Sequence, residues 1–152
     1  MRKILFICTG NTCRSPMAEA IFKHKTKNRF EVRSAGIFAH DGSSASAHSI
    51  AILKNQSIPI DHKSKQLTTE LVAWSDLILT MGNSHKQLIR QRYPKASEKV
   101  YSLKEYALNR QADIADPFGG TLNDYEKTFK EIDEAILKLI EKLDNLGEVD
   151  QQ

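Results

Sequence analysis

The sequence predicts an α/β domain built on a mostly parallel sheet with helices on both faces. Three observations predict it. Short apolar runs alternate with segments of helical spacing along the chain. The first run, Ile4-Leu5-Phe6-Ile7, is unbroken, as in a buried strand. No repeat, low-complexity tract or linker divides the 152 residues, so residues 1–152 read as one domain.

The elements follow in order. Residues 3–8 read as a strand ending at Cys8. A polar stretch containing Gly10 leads to Ser15-Pro16, which reads as a helix start, with Ser15 as N-cap and Pro16 at the first helical position. Met17, Ala20 and Ile21 carry that helix to about Thr26. Residues 30–35 form a second strand, closed by Gly36. Residues 46–55 and 68–74 read as helices, 77–81 as a third strand, 84–92 as a helix and 100–103 as a short fourth strand. Tyr125, Phe129, Ile132, Ile136, Leu139 and Leu143 mark the last helix; this stripe is core and carries no functional claim.

Composition narrows the function. An apolar share of 40% and a charged share of 27% suit an ordinary soluble domain. At this length folding buries roughly 70% of the unfolded surface, so the core needs no staples. A net charge of +3 is too small to indicate a nucleic-acid partner, though it favours an anionic substrate. The apolar run after Met1-Arg2-Lys3 is too short for a signal peptide or a membrane span, and no other stretch qualifies. A cytoplasmic protein with no membrane partner is therefore expected; a monomer is expected as well. Cys8 and Cys13 are the only cysteines, and in a reducing compartment such a pair points to chemistry rather than a staple. His24, His40, His48, His62 and His85 show no ligand spacing, so neither a metal nor a cofactor is expected.

The segment Cys8-Thr9-Gly10-Asn11-Thr12-Cys13-Arg14-Ser15 sits between the first strand and the first helix. In a tight loop, successive backbone N–H groups converge on an anion, and a helix N-terminus adds its dipole. Gly10 tolerates the positive φ such a curl needs, and Asn11 suits a left-handed turn. Arg14 offers a planar fork to two phosphate oxygens. The field that favours a phosphate also favours the Cys8 thiolate, and the Ser15 hydroxyl can donate to it. The loop lacks the Gly-Lys-Ser/Thr ending of a Walker A motif.

Far along the chain, Asp116-Pro117-Phe118-Gly119-Gly120 is a loop by composition. Thiolate attack on phosphorus expels a basic group that must be protonated, and a carboxylic acid here can supply the proton. Asp113 is a rival, and Asp-Pro also commonly starts a turn.

The chain resembles the low-molecular-weight protein-tyrosine phosphatases, and within them the protein-arginine-phosphatase branch. Residues 7–19, Ser34-Ala35-Gly36, Asp61-His62-Lys63-Ser64 and Asp116-Pro117-Phe118-Gly119-Gly120 carry the likeness over nearly the whole chain. It implies a four-stranded parallel sheet with helices on both faces, a flavodoxin-like three-layer sandwich. It also implies Cys8 as nucleophile, Arg14 as phosphate clamp and Asp116 as general acid, with phosphorylated proteins as substrates. His62 is given no role beyond packing or loop support. Thr12 stands where the tyrosine branch usually has an aliphatic residue, and Phe118 where it usually has tyrosine. A threonine hydroxyl meets guanidinium N–H groups better than a phenol edge, which favours phosphoarginine. Thiol-dependent arsenate reductases use a similar loop but need further cysteines, of which this chain has none after Cys13, so only a reductase relying on an outside thiol stays open; a non-catalytic phosphate-binding module would not need the full set of groups. Cys13 is either a resolving thiol for oxidised Cys8 or a small buried residue.

Overall fold

The structure, a computed structural model, describes residues 2–150; Met1 and residues 151–152 of the expected domain lie outside them. Four strands, β1 (Lys3–Cys8), β2 (Glu31–Gly36), β3 (Leu77–Thr80) and β4 (Val100–Ser102), form one parallel sheet in the order β2-β1-β3-β4. Among the described residues six helices accompany them: α1 (Arg14–Thr26), α2 (Ala47–Asn55), α3 (Thr69–Trp74), α4 (Asn83–Arg92), α5 (Leu103–Leu108) and α6 (Leu122–Asp150). A 3-10 turn covers Pro94–Lys99.

The two-residue period of a strand divides the core. Ile4, Phe6 and Cys8 share one apolar cluster with residues of α1, α2, α5 and α6. Leu5 and Ile7 join the other, with Val72 of α3 and Ile89 of α4. All six residues of the α6 stripe are buried. Strand order reverses at β1, since β2 lies on one side and β3 on the other. In such sheets a crevice opens beyond the carboxyl ends of the strands at that point. Cys8 ends β1 there, in register with Gly36 of β2. Gly36 has to lack a side chain: a Cβ would stand 2.5 Å from the Thr9 carbonyl oxygen and 3.0 Å from the Asn11 nitrogen. The backbone after β1 therefore folds directly over the end of β2.

The structure corrects three expectations. Helix α1 starts at Arg14, with Cys13 as N-cap, so Ser15 and Pro16 lie inside the first turn. Ser15 does not cap because its hydroxyl is engaged by Asn11 and Cys8. Gly10 does not adopt positive φ; Asn11 alone takes the left-handed turn in the loop, at φ 57°. The fourth strand ends at Ser102, and α5 follows at once. Its sequence signal is Ser102 three residues before Glu105, whose backbone N–H the serine accepts. No helix among the described residues is long and apolar enough to cross a membrane.

Candidate active site

Most carbonyls from Cys8 to Cys13 are held by hydrogen bonds. The oxygens of Cys8, Thr9 and Thr12 accept from the N–H groups of Ile37, Phe38 and Ser46 at 3.1, 2.9 and 2.8 Å. The Asn11 oxygen accepts from His62 Nε2 at 2.7 Å, and that of Cys13 from the Met17 N–H at 3.3 Å. The N–H groups of residues 10–15 meet no acceptor among the described residues, and Pro16 has no N–H to offer. Unpaired N–H groups on a curled loop running into a helix start are what an anion needs.

Asn11 holds this loop in shape and is completely buried. Its Oδ1 accepts from the Lys65 N–H at 2.9 Å, which fixes the amide orientation. Its Nδ2 donates to Ser15 Oγ at 2.8 Å and to Ser34 Oγ at 2.9 Å. Ser34 in turn donates to Glu19 Oε1 at 2.6 Å, and Glu19 pairs with Lys23. Because Ser15 accepts from an amide that can only donate, its own proton is free for Cys8 Sγ, 2.8 Å away. The hydroxyl is thus oriented to stabilise a thiolate.

Arg14 joins this loop to the loop before α6. It is buried, and its Nη1 donates to the Ile114 carbonyl at 2.9 Å. Its Nη2 lies 3.6 Å from Asp116 Oδ2. Asp116 is about half exposed (52%), and its Oδ1 accepts from the Phe118 N–H at 3.1 Å. The Asp116 loop is fixed on both sides. The Ile114 N–H donates to Met81 O beyond β3, and Thr128 of α6 donates to Ala115 O.

Cys8, Thr9, Gly10, Thr12, Cys13, Arg14, Asp116 and Phe118 enclose a cavity of about 230 Å³. The structure therefore brings together all three expected catalytic residues, Cys8, Arg14 and Asp116. Asn11 and Ser15 act from behind the wall. Asp113 does not line the cavity; its Oδ1 accepts from the Asn83 N–H at the start of α4. His62 supports the loop through Asn11, the modest role expected of it.

One residue of the site was missed. His85 of α4 is buried, with Nε2 2.9 Å from Thr9 Oγ1. Burial, and then the Arg14 charge, lower its pKa to about 4, although Asp113 and Asp116 pull it upward. The imidazole is neutral at neutral pH. Nothing in Asn83-Ser84-His85-Lys86 announces this, because the partner, Thr9, is remote in sequence.

A thiol at the foot of an anion-binding loop, with an arginine and a carboxyl over it, defines the class of thiol-based phosphate-handling α/β proteins. Residues 3–149 match the family model described as low molecular weight phosphotyrosine protein phosphatase, and the chain belongs to that family. It is 45% identical to a protein-arginine-phosphatase of Geobacillus stearothermophilus, over 93% of this chain and 95% of the relative. It is 41% identical to the low molecular weight protein-tyrosine-phosphatase PtpB of Staphylococcus haemolyticus, over 93% and 96%. Among solved structures, the YwlE arginine phosphatase of G. stearothermophilus superposes with a TM-score of 0.93 at 43% identity, over 95% of this chain and 94% of that one. A cysteine-to-serine YwlE mutant with a phosphorylated active-site serine superposes at 0.91 and 41% identity, over 93% and 95%.

Asn11 gives the first test. Asn11→Ala removes the buried amide and puts a residue with a poor left-handed conformation at φ 57°. Thermal unfolding is expected to drop by roughly 5–10 °C, and kcat by at least about tenfold as Ser15 loses its orientation. Asn11→Gly restores the backbone freedom alone, so it is expected to recover part of the stability and little of the rate.

Proposed function

We propose that the whole chain is one catalytic domain: a cytoplasmic, cofactor-free, monomeric protein phosphatase that acts on phosphoarginine through a phosphocysteine. The observation that carries this reading is one small cavity lined by Cys8, Arg14 and Asp116, with Thr12 in its wall. The likeness to relatives named protein-arginine-phosphatase supports it.

In the first step Cys8 Sγ attacks phosphorus. The S–P bond forms, the P–N bond to the guanidine breaks, and the departing nitrogen takes a proton from Asp116. Arg14 and the loop N–H groups hold the phosphoryl oxygens. In the second step water attacks phosphorus and gives a proton to the Asp116 carboxylate. The thiolate leaves against the Ser15 hydroxyl, and inorganic phosphate is released. The partial exposure of Asp116 leaves it open to water and to the leaving group. A phosphotyrosine reading draws on the exposed ring of Phe118, which can pack against a phenol, and on the likeness to PtpB.

Both cysteines are free thiols, and both line the cavity. A peroxide would oxidise the Cys8 thiolate to a sulfenic acid. Attack by the Cys13 thiol would then form a disulfide and expel water. Cys13 Sγ lies 3.3 Å from the Tyr125 hydroxyl, whose pKa burial holds above its ordinary value.

Cys8→Ser is expected to abolish turnover and leave the fold intact. Asp116→Ala is expected to cost about 10²–10⁴ in kcat on a leaving group of high pKa and far less on one of low pKa. Steady-state rates on an alkyl and a nitrophenyl phosphate check this; equal losses on both would reduce Asp116 to a positioning role.

Thr12→Ile tests the substrate. Burying a hydroxyl unpaired against a ring costs roughly 1–3 kcal/mol, so phosphoarginine is expected to be favoured by roughly one to two orders of magnitude. The mutation is expected to lower kcat/KM on phosphoarginine peptides and raise it on phosphotyrosine peptides. A wild type that prefers phosphotyrosine, or a ratio unmoved by the mutation, hands the site to the tyrosine reading.

For the thiols, reversible peroxide inactivation is expected in wild type and irreversible inactivation in Cys13→Ser. Identical recovery on adding a reductant to both proteins rules out a resolving role.

A further inference from the structure

Thr9 is exposed and lines the cavity, yet its hydroxyl is engaged from behind by His85. The direction of that hydrogen bond decides what Thr9 offers to a substrate. If Nε2 carries the ring proton, it donates to Oγ1 and leaves the Thr9 O–H free, a donor suited to a phosphate oxygen. If Nδ1 carries it, Nε2 accepts the Thr9 proton. Oγ1 then presents only lone pairs, suited to an N–H.

The position of Asp113 selects the second arrangement. His85 Nδ1 borders the same small gap beside Gly82 as the Asp113 carboxylate. His85 Nδ1 and Asp113 Oδ2 both lie 3.4 Å from the place a Cβ on Gly82 would take, and that side chain is absent. Asp113 is exposed, and its Oδ1 accepts from the Asn83 N–H, which leaves Oδ2 free of that bond. A carboxylate on that side favours the tautomer with its proton on the near nitrogen. The ring also has only one proton to place, because burial and then the Arg14 charge disfavour a second, and the buried Nδ1 makes no hydrogen bond among the described residues, so Asp113 acts on it through space. The Asp113 charge, acting across the gap, favours that proton on Nδ1.

We infer that Asp113, His85 and Thr9 form a polarising relay that makes the Thr9 hydroxyl an acceptor for an N–H of the leaving guanidinium. This rests on the phosphoarginine reading and adds a second polar determinant to Thr12, one that recognises the leaving group rather than the phosphate. Thr9 meets the substrate; His85 and Asp113 are positioning residues that act through it.

Imidazole ¹⁵N NMR on the full chain at neutral pH reads the tautomer directly. His85 is expected as Nδ1–H in wild type and to shift toward Nε2–H in Asp113→Asn. The second measurement is kcat/KM on a phosphoarginine peptide over that on a phosphotyrosine peptide of otherwise identical sequence. Thr9→Val and His85→Phe are each expected to lower this ratio about tenfold, roughly one hydrogen bond's worth. The double mutant is expected to lower it no further, since His85 works only through Thr9. Asp113→Asn keeps an acceptor for Asn83 and is expected to lower the same ratio, so the test survives a His85→Phe that fails to fold. An unmoved ratio, or losses that add in the double mutant, overturns the relay. The two failures separate. A wild type that prefers phosphotyrosine overturns the substrate reading and this inference with it. An Nε2–H ring in an enzyme that prefers phosphoarginine overturns this inference alone.

Discussion

The site depends on one buried amide. Asn11 stands in the left-handed conformation in the middle of the loop after β1, where the chain must reverse before entering α1. Its side chain uses both donors and its acceptor on three separate segments: Ser15 in α1, Ser34 in β2 and the backbone of Lys65. Its carbonyl takes a fourth tie from His62. A buried amide with partners left open would be costly, so the four partners and the loop form together or not at all. Each proton in the chain has a set direction. Glu19 can only accept as a carboxylate, which makes Ser34 a donor there and an acceptor of the amide. The amide donates to Ser15, which leaves the Ser15 proton for Cys8. A largely buried carboxylate thereby fixes which way a hydroxyl points at the thiol.

The second constraint is topological. The reversal of strand order at β1 puts the loop between two neighbours, and both contribute. On the β2 side, the segment after Gly36 takes up the carbonyls of Cys8 and Thr9. On the β3 side, the Met81 carbonyl anchors Ile114, and the Ile114 carbonyl receives Arg14. The guanidinium is held by a backbone oxygen at one end, which leaves the other for an anion. Asp116 follows two residues later, and its 3.6 Å approach to Arg14 is loose enough for a bound phosphoryl group to displace.

What the sequence made legible is what is local or periodic. The unbroken run before Cys8, the α6 stripe and the punctuation around 116–120 each declare themselves within a few residues. Ser15 misled for a physical reason. Serine before proline is a good cap, but a hydroxyl serves one geometry at a time, and the thiol and the amide outcompete the helix end. Gly10 misled likewise, because asparagine can take the left-handed turn when its side chain is fully bonded. Ser34 and Glu19 could be read as motif members without roles, since their partners lie across the sheet. His85 left no local trace: its meaning comes from Thr9 and Arg14, which tertiary folding delivers.

The size of the cavity divides the work of recognition. About 230 Å³ is less than a typical pocket for a drug-sized ligand, so little more than a phosphoryl group and the first atoms of its leaving group fit inside. In the proposed reaction the loop N–H groups and Arg14 would hold the phosphoryl oxygens and would treat every phosphate ester or phosphoramidate alike. Discrimination must come from the narrow ring of wall above them, formed by the side chains of Thr9, Thr12, Asp116 and Phe118. Three of those four are polar, and one carries a negative charge when ionised. A leaving group that is planar, cationic and rich in N–H donors satisfies such a wall, whereas a phenol ring meets only Phe118 on its own terms. A polar wall costs little when it is open to water, as the exposure of Thr9 and Asp116 allows. It gains value only when a substrate displaces that water and offers hydrogen bonds in return, so the selection acts in the bound complex, where the reaction begins.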